Sequence, residues 1–281
     1  MKVVLFCGGL GMRLRPLSPE SFSMSPGVSE DLPKPMAHIG GQRPLLWHVM
    51  KYYAYFGFND FILCLGYRAD VIKNFFLNYS EYLSNDFILA EGGATLQLLH
   101  NDIHEWRITF VDTGLIASVG ERLKAVESHL EGEEVFLANY CDGLTDLPLT
   151  DYIRRFLDSG KVGAFICVRP PYTTHVVRVA EDCTVHGIEP IRSADVWING
   201  GYFVFRRAIF DYLKPGEDLV MEPFQRLIRA NQLFGYQYRG FWTCMDTFKE
   251  REELDAMCAR GNTPWQVWRT TTPDKRAPGL L

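Results

Sequence analysis

At 281 residues, 47% hydrophobic and 22% charged, the chain has the composition of a globular protein able to bury a substantial core, which excludes a disordered or collagen-like polymer. A formal charge of −5 without any dense Lys/Arg cluster argues against nucleic-acid binding, and no stretch nears the roughly 18 apolar residues that span a bilayer.

Residues 3–7 form a short apolar run of strand length, followed at once by glycines rather than by a cleavage site, so a cytoplasmic location is expected. Further strand-length runs at 61–65, 108–111, 135–139 and 164–168 alternate with amphipathic segments of helical length at 44–56, 69–77, 120–130 and 149–159. Pro44 suits a first helical turn, and Gly57 and Gly160 suit C-terminal caps. This βαβ rhythm predicts a mostly parallel sheet with helices on both faces. After Val168 the rhythm changes: 176–179, 185–188 and 197–205 are separated by turn residues without a long helix, which predicts an antiparallel addition. A helix at 222–231, a strand at 233–238 and a helix at 248–260 follow, and residues 270–281 read as a loosely held tail. Cys7, Cys64, Cys141, Cys167, Cys183, Cys244 and Cys258 are odd in number and contain no C-x-x-C pair, which favours reduced thiols over disulfides or zinc.

The first chemical signal is Gly8-Gly9-Leu10-Gly11-Met12-Arg13-Leu14, directly after the first strand. Glycines there let backbone N–H groups approach a phosphate, and Arg13 adds a permanent bidentate cation; a plain tight turn is the competing reading. Neither the dinucleotide fingerprint nor the P-loop spacing is present. Together with Leu32-Pro33-Lys34-Pro35-Met36, Leu46-Trp47-His48-Val49-Met50-Lys51-Tyr52, Cys64-Leu65-Gly66-Tyr67, Val111-Asp112-Thr113-Gly114, Ile198-Asn199-Gly200-Gly201 and Met245-Asp246-Thr247, the opening resembles the sugar-phosphate nucleotidyltransferase family, to about Trp268. Within it the glucose-1-phosphate cytidylyltransferase branch is the one the chain resembles.

The resemblance implies a Rossmann-like core, with a nucleotide-binding part over about 1–168, a sugar-binding part over about 169–246 and a C-terminal helix over about 247–262, all one domain ending near 269. It also implies transfer of a nucleotidyl group from a nucleoside triphosphate, CTP favoured, to a sugar 1-phosphate, glucose 1-phosphate favoured, with release of pyrophosphate. Gly8, Gly9, Leu10, Gly11, Met12, Arg13, Gly120 and Arg122 match nucleotide-contacting positions, with Arg13 and Lys34 as the catalytic cations. Asp142 and Asp246 match the ligands of a Mg²⁺ ion; Glu189, Asn199 and Gly200 are candidates for the sugar-phosphate site, beside Tyr140 and Trp242, with Arg192 nearby as the candidate replacement for a family lysine lost at 190. Pro33 and Pro35 are expected to hold Lys34 extended. The substrates are the only partners implied, with a homo-oligomer and a place in polysaccharide biosynthesis as further expectations.

Three positions depart from the pattern. Met12 stands where the loop usually carries Thr, Cys141 replaces the first glycine of Gly-Asp-Gly, and Pro190 replaces a lysine that contacts the sugar phosphate. The loop over 16–32 is also long for the family. The loss at Pro190 keeps a second reading open, a catalytically weak paralogue that binds a nucleotide or sugar nucleotide as a regulatory module. His48 and His175 have no catalytic partner pattern and read as structural.

Overall fold

A computed structural model describes residues 1–9, 32–41, 43–171 and 173–269. Its strands are β1 (Val3–Phe6), β2 (His38–Ile39), β3 (Arg43–Pro44), β4 (Asp60–Leu65), β5 (Phe87–Ala90), β6 (Thr95–Leu98), β7 (Arg107–Asp112), β8 (Val135–Asn139), β9 (Gly143–Thr145), β10 (Gly163–Val168), β11 (His175–Val179), β12 (Val185–Pro190), β13 (Ile198–Arg206), β14 (Leu233–Gln237) and β15 (Trp242–Cys244). The helices are α1 (Leu45–Tyr55), α2 (Ala69–Leu77), α3 (Val119–Ala125), α4 (Leu149–Ser159), α5 (Glu222–Arg229) and α6 (Phe248–Ala259).

The central sheet has seven strands in the order β14-β10-β13-β8-β1-β4-β7. β1 runs parallel to β4 and β8, β4 to β7, and β10 to β14, whereas β13 opposes both of its neighbours, β8 and β10. The carboxyl ends of β1, β8, β10 and β14 therefore open on one edge of the sheet, where ligands bind in open α/β folds. The strand-length runs read from the sequence all appear, and β13 enters the main sheet while β11 and β12 form a separate hairpin.

Alternation along the strands divides the core. Val3, Leu5, Phe61, Leu63 and Leu65 pack with residues of α1 and α4, such as Met50, Tyr53, Ile153 and Phe156, on one face of the sheet. Val4, Phe6, Ile62 and Cys64 pack with Leu123 of α3 and with Phe224 and Leu227 of α5 on the other. Gly160 caps α4 with φ 66°, as its sequence position predicts. Pro44 stands one residue earlier than expected, at the cap before Leu45 rather than in the first turn.

Lys34 differs more from expectation: it opens a short 3₁₀ turn over Lys34–Met36 instead of lying extended. Pro33 alone keeps the extended conformation, and the bonds from Met36 N–H to Pro33 O (2.8 Å) and from Ala37 N–H to Lys34 O (3.1 Å) offset the pre-proline bias at Lys34.

Candidate active site

Three distant segments meet at the carboxyl edge of β8. Asn139 ends that strand and its side-chain oxygen accepts the Cys141 N–H at 2.7 Å, turning the chain sharply. Cys141 takes φ 63°, the left-handed region that a glycine enters freely, so the family's glycine at this position has a backbone reason. β9 then pairs antiparallel with β15, Gly143 opposite Cys244, and Met245 N–H donates to Asp142 O at 2.9 Å. This short ladder sets Asp142 and Asp246 side by side. Asp246 precedes α6, whose capping box at Thr247 and Glu250 holds the turn, and the Asp246 N–H also donates to Glu250 Oε2 at 2.6 Å.

Lys34 completes the group. Its Nζ lies 2.8 Å from Asp142 Oδ2 and 2.5 Å from Asp246 Oδ1, with 14% of the lysine side chain exposed. Burial works to lower the lysine pKa, but the charges and hydrogen bonds of the two carboxylates outweigh it and leave it raised. Burial pushes Asp142 up, and the neighbouring Asp246 charge adds to this against the opposing pull of Lys34.

The donor set suits a small hard cation. Mg²⁺ takes oxygen ligands and is commonly held by one or two carboxylates plus substrate phosphates. Among the described residues no group of three or more His, Cys, Asp or Glu gathers as a metal cage. The Lys34 ammonium already bridges the two carboxylates, so a cation between them is electrostatically accommodated.

Gly8 and Gly9 follow β1 on the same edge. A Cβ at Gly8 would come within 2.0 Å of Arg122 Nη1, so no larger residue fits without moving that arginine, whereas Gly9 is exposed and open on its Cβ side. Arg122 is 4% exposed and lies under the loop: it donates to Gly8 O (3.0 Å), Leu65 O (3.2 Å), Gly114 O (2.9 Å), Leu115 O (3.3 Å) and Thr113 Oγ1 (2.7 Å). It thus ties together the chain after β1, β4 and β7. Gly120, beside it in sequence, allows α3 to approach another segment, since a Cβ there would meet Glu217 O at 2.4 Å. Leu10, Gly11, Met12 and Arg13, most of the 16–32 loop, and the tail from 270 lie outside the described residues.

On the side toward β10, Trp242 Nε1 donates to Gly200 O at 2.9 Å, and Asn199 Oδ1 accepts the Gly201 N–H at 2.9 Å. Gly200 is buried, and a Cβ on it would meet Ile166 at 2.6 Å. Glu189 sits in the β11–β12 hairpin with its carboxylate 2.7 Å from Arg178 Nη2, and Pro190 pairs with His175 there. Arg192 follows the hairpin, is exposed, and donates to Pro171 O. The Asp142, Asp246 and Lys34 positions are brought into direct contact; Glu189, Arg192, Asn199 and Gly200 make no hydrogen bond or ion pair with that trio among the described residues.

Comparison with known proteins now decides the family. The glucose-1-phosphate cytidylyltransferase of Salmonella typhimurium is 33% identical over 95% of this chain and 100% of its own length, and a Bacillus subtilis homologue of that enzyme is 36% identical over the same shares. The chain belongs to the glucose-1-phosphate cytidylyltransferase family. It is therefore a sugar-phosphate nucleotidyltransferase, an enzyme of nucleoside-diphosphate-sugar synthesis. The fold agrees: a UDP-glucose pyrophosphorylase in complex with UDP-glucose superposes with a TM-score of 0.63 at 13% identity, covering 92% of this chain and 98% of that one. A Bacillus anthracis protein described as a glucose-1-phosphate thymidylyltransferase gives 0.63 at 15% identity, covering 98% of each. No protein-family profile matches the chain. Among the described residues no helix is long and apolar enough to cross a membrane.

Sequence reasoning missed two parts of this member of the family. The β9–β15 ladder is three residues per strand, too short for periodicity to register, yet it aligns the two aspartates. Cys7 Sγ and Cys141 Sγ lie 3.2 Å apart beneath the loops that carry Gly8 and Asp142, a contact between residues 134 apart in sequence that spacing alone does not reveal.

Proposed function

We propose that the enzyme joins CTP to glucose 1-phosphate, releasing pyrophosphate and forming CDP-glucose. The observation that carries this is the Lys34 ammonium set between Asp142 and Asp246 at the carboxyl edge of β8, in a chain whose full-length relatives are named for that reaction.

In this reading a phosphate oxygen of the sugar attacks the α-phosphorus in line, and pyrophosphate departs with its electron pair. Asp142 and Asp246 would hold Mg²⁺, which on binding supplies positive charge to the phosphate oxygens and orients them. Lys34 neutralises charge that builds on the departing pyrophosphate, and Arg13 is assigned to the same oxygens. The backbone of Gly8 and Gly9 receives the triphosphate, with Arg122 holding the Gly8 carbonyl from below. Asn199, Gly200 and Glu189 form the sugar side. Arg192 supplies the cation that Pro190 cannot, standing on the chain just after β12.

Pro190 also supports a second reading, a paralogue that binds nucleotide without efficient transfer. The half-buried Lys34 with its two carboxylates favours the enzyme, because a nucleotide binder has less use for a paired acidic site. Purified protein incubated with Mg²⁺, each of the five common nucleoside triphosphates and a panel of sugar 1-phosphates decides between them. Pyrophosphate release that is greatest with CTP and proceeds with glucose 1-phosphate as acceptor supports the first reading; saturable CTP binding without release from any sugar 1-phosphate supports the second.

A further inference from the structure

A second group of cations stands on the same edge of the sheet, beyond the aspartates. Arg169 directly follows β10 and Arg239 lies just beyond β14; with Arg192, Ser193, Tyr238 and Trp242 they line a cavity of about 310 Å³. That is large enough for a small ligand group, and its position beyond the carboxyl ends of two parallel strands is where this fold class places ligands.

The arginines are organised around one ring. The Arg169 guanidinium lies 4.2 Å and that of Arg239 5.2 Å from the Trp197 ring centroid. Arg169 is further fixed by donating to Ala194 O (2.7 Å) and Val196 O (3.1 Å) and by pairing with Asp195 at 2.8 Å, an aspartate whose side chain is 89% exposed. No carboxylate pairs with Arg239 or Arg192 among the described residues. Arg169 has Asp195 as its counter-charge, but Arg239 and Arg192 place two further guanidinium charges on the same cavity, which an entering anion would neutralise. A chain with net charge −5 has no general need for such a concentration.

Trp242 connects this cavity to the reacting centre. Its indole is locked onto Gly200 O at 2.9 Å, it lines the cavity, and its strand leads within four residues to Asp246. Trp242 thus stands between the cavity it lines and the turn that carries Asp246.

We propose that the cavity is a second anion subsite of the acceptor site, taking a carboxylate or phosphate carried by the sugar away from its 1-phosphate. Among sugar 1-phosphates the one bound most tightly is then one with an additional acidic group, recognised by the planar fork of Arg239 with Arg169 beside it, while glucose 1-phosphate is used without that contact and Arg192 keeps its place at the 1-phosphate. This rests on the reading of the chain as a sugar-1-phosphate nucleotidyltransferase.

The test compares glucose 1-phosphate, glucuronic acid 1-phosphate and glucose 1,6-bisphosphate, by KM in pyrophosphate release and separately by calorimetric binding. Wild-type enzyme should show a KM and a Kd at least tenfold lower for one or both of the doubly acidic sugars, and which of the two gains identifies a carboxylate or a phosphate. Arg239→Ala and Arg239→Glu should erase that preference and leave the glucose 1-phosphate and CTP constants unchanged, while Arg239→Lys should keep part of it. Equal constants for all three sugars would overturn the subsite while leaving the transfer reaction standing. So would an Arg239→Ala variant that weakens glucose 1-phosphate as much as the others, because the cavity would then hold the 1-phosphate itself. Selective binding of the doubly acidic sugars without turnover of any acceptor would keep the subsite and overturn the catalytic reading.

Discussion

Lys34 Nζ lies 2.8 Å from Asp142 Oδ2 across 108 residues of sequence, and the same nitrogen reaches Asp246. The lysine separates two carboxylates that would otherwise face each other with little water between them. Lys34→Met should therefore destabilise the metal-free protein, by about 1–3 kcal/mol once partial solvent screening is allowed for. Mg²⁺ should return part of that loss by taking the lysine's place. Urea unfolding in EDTA and in Mg²⁺ checks this; a variant as stable as wild type in EDTA would show that the ammonium is not holding the pair apart.

Arg122 depends on its fork. A lysine can reach one or two of the carbonyls that Arg122 now ties, not the set spread over Gly8, Leu65, Gly114 and Leu115. Arg122→Lys should cost about 1–3 kcal/mol through buried acceptors left unpaired and raise the KM for CTP several-fold more than the KM for the sugar phosphate. Equal effects on both constants would place its action elsewhere. Gly8→Ala should mimic it, since its methyl group would displace the same guanidinium.

Cys141 allows a test with a definite sign. Its left-handed φ of 63° favours glycine, so Cys141→Gly should be more stable than Cys141→Ala by about 1 kcal/mol, although alanine is normally the more stable of the two. Thermal midpoints of the two variants decide it, and a more stable alanine variant would contradict the strain argument.

His48 predicts how stability follows pH. Its ring is buried among Trp47, Trp265 and Trp268, and burial, with Arg269 and Arg43 nearby, pushes its pKa down to about 3. The folded value lies below the unfolded value of about 6.5, so the unfolded chain takes up the proton first. The contribution is whole above pH 6.5 and is lost as the pH falls toward 3, with a limiting slope of about 1.4 kcal/mol per pH unit. His48→Phe should flatten the change in urea midpoint between pH 7 and pH 5; parallel curves for variant and wild type would refute it.

The sequence made the parallel strands and their helices legible because each carries an apolar pattern over four or more residues, as at 61–65 and 149–159. It made Lys34, Asp142 and Asp246 legible through the motifs around them, though not their mutual contact, which the short β9–β15 ladder creates. The β5–β6 hairpin went unread although Phe87-Ile88-Leu89-Ala90 is an apolar run of strand length; its two four-residue strands pair only with each other, and Phe87, Ile88, Leu89 and Leu96 stand exposed. The Lys34 backbone was misjudged because local turn bonds outweighed a bias that acts through one neighbour. Arg169 and Arg239 gave no signal, because two arginines 70 positions apart become neighbours only when β10 and β14 pair.

The central claim is that Lys34, Asp142 and Asp246 are the reacting centre, and the most direct measurement is pyrophosphate release from CTP and glucose 1-phosphate by Asp142→Asn and Asp246→Asn, with folding followed by circular dichroism. Each substitution removes one charge and keeps nearly the same volume. The account predicts native spectra with turnover reduced by about two to three orders of magnitude, the scale of losing one electrostatic element of a transition state. A folded Asp142→Asn enzyme that releases pyrophosphate at the wild-type rate would contradict it.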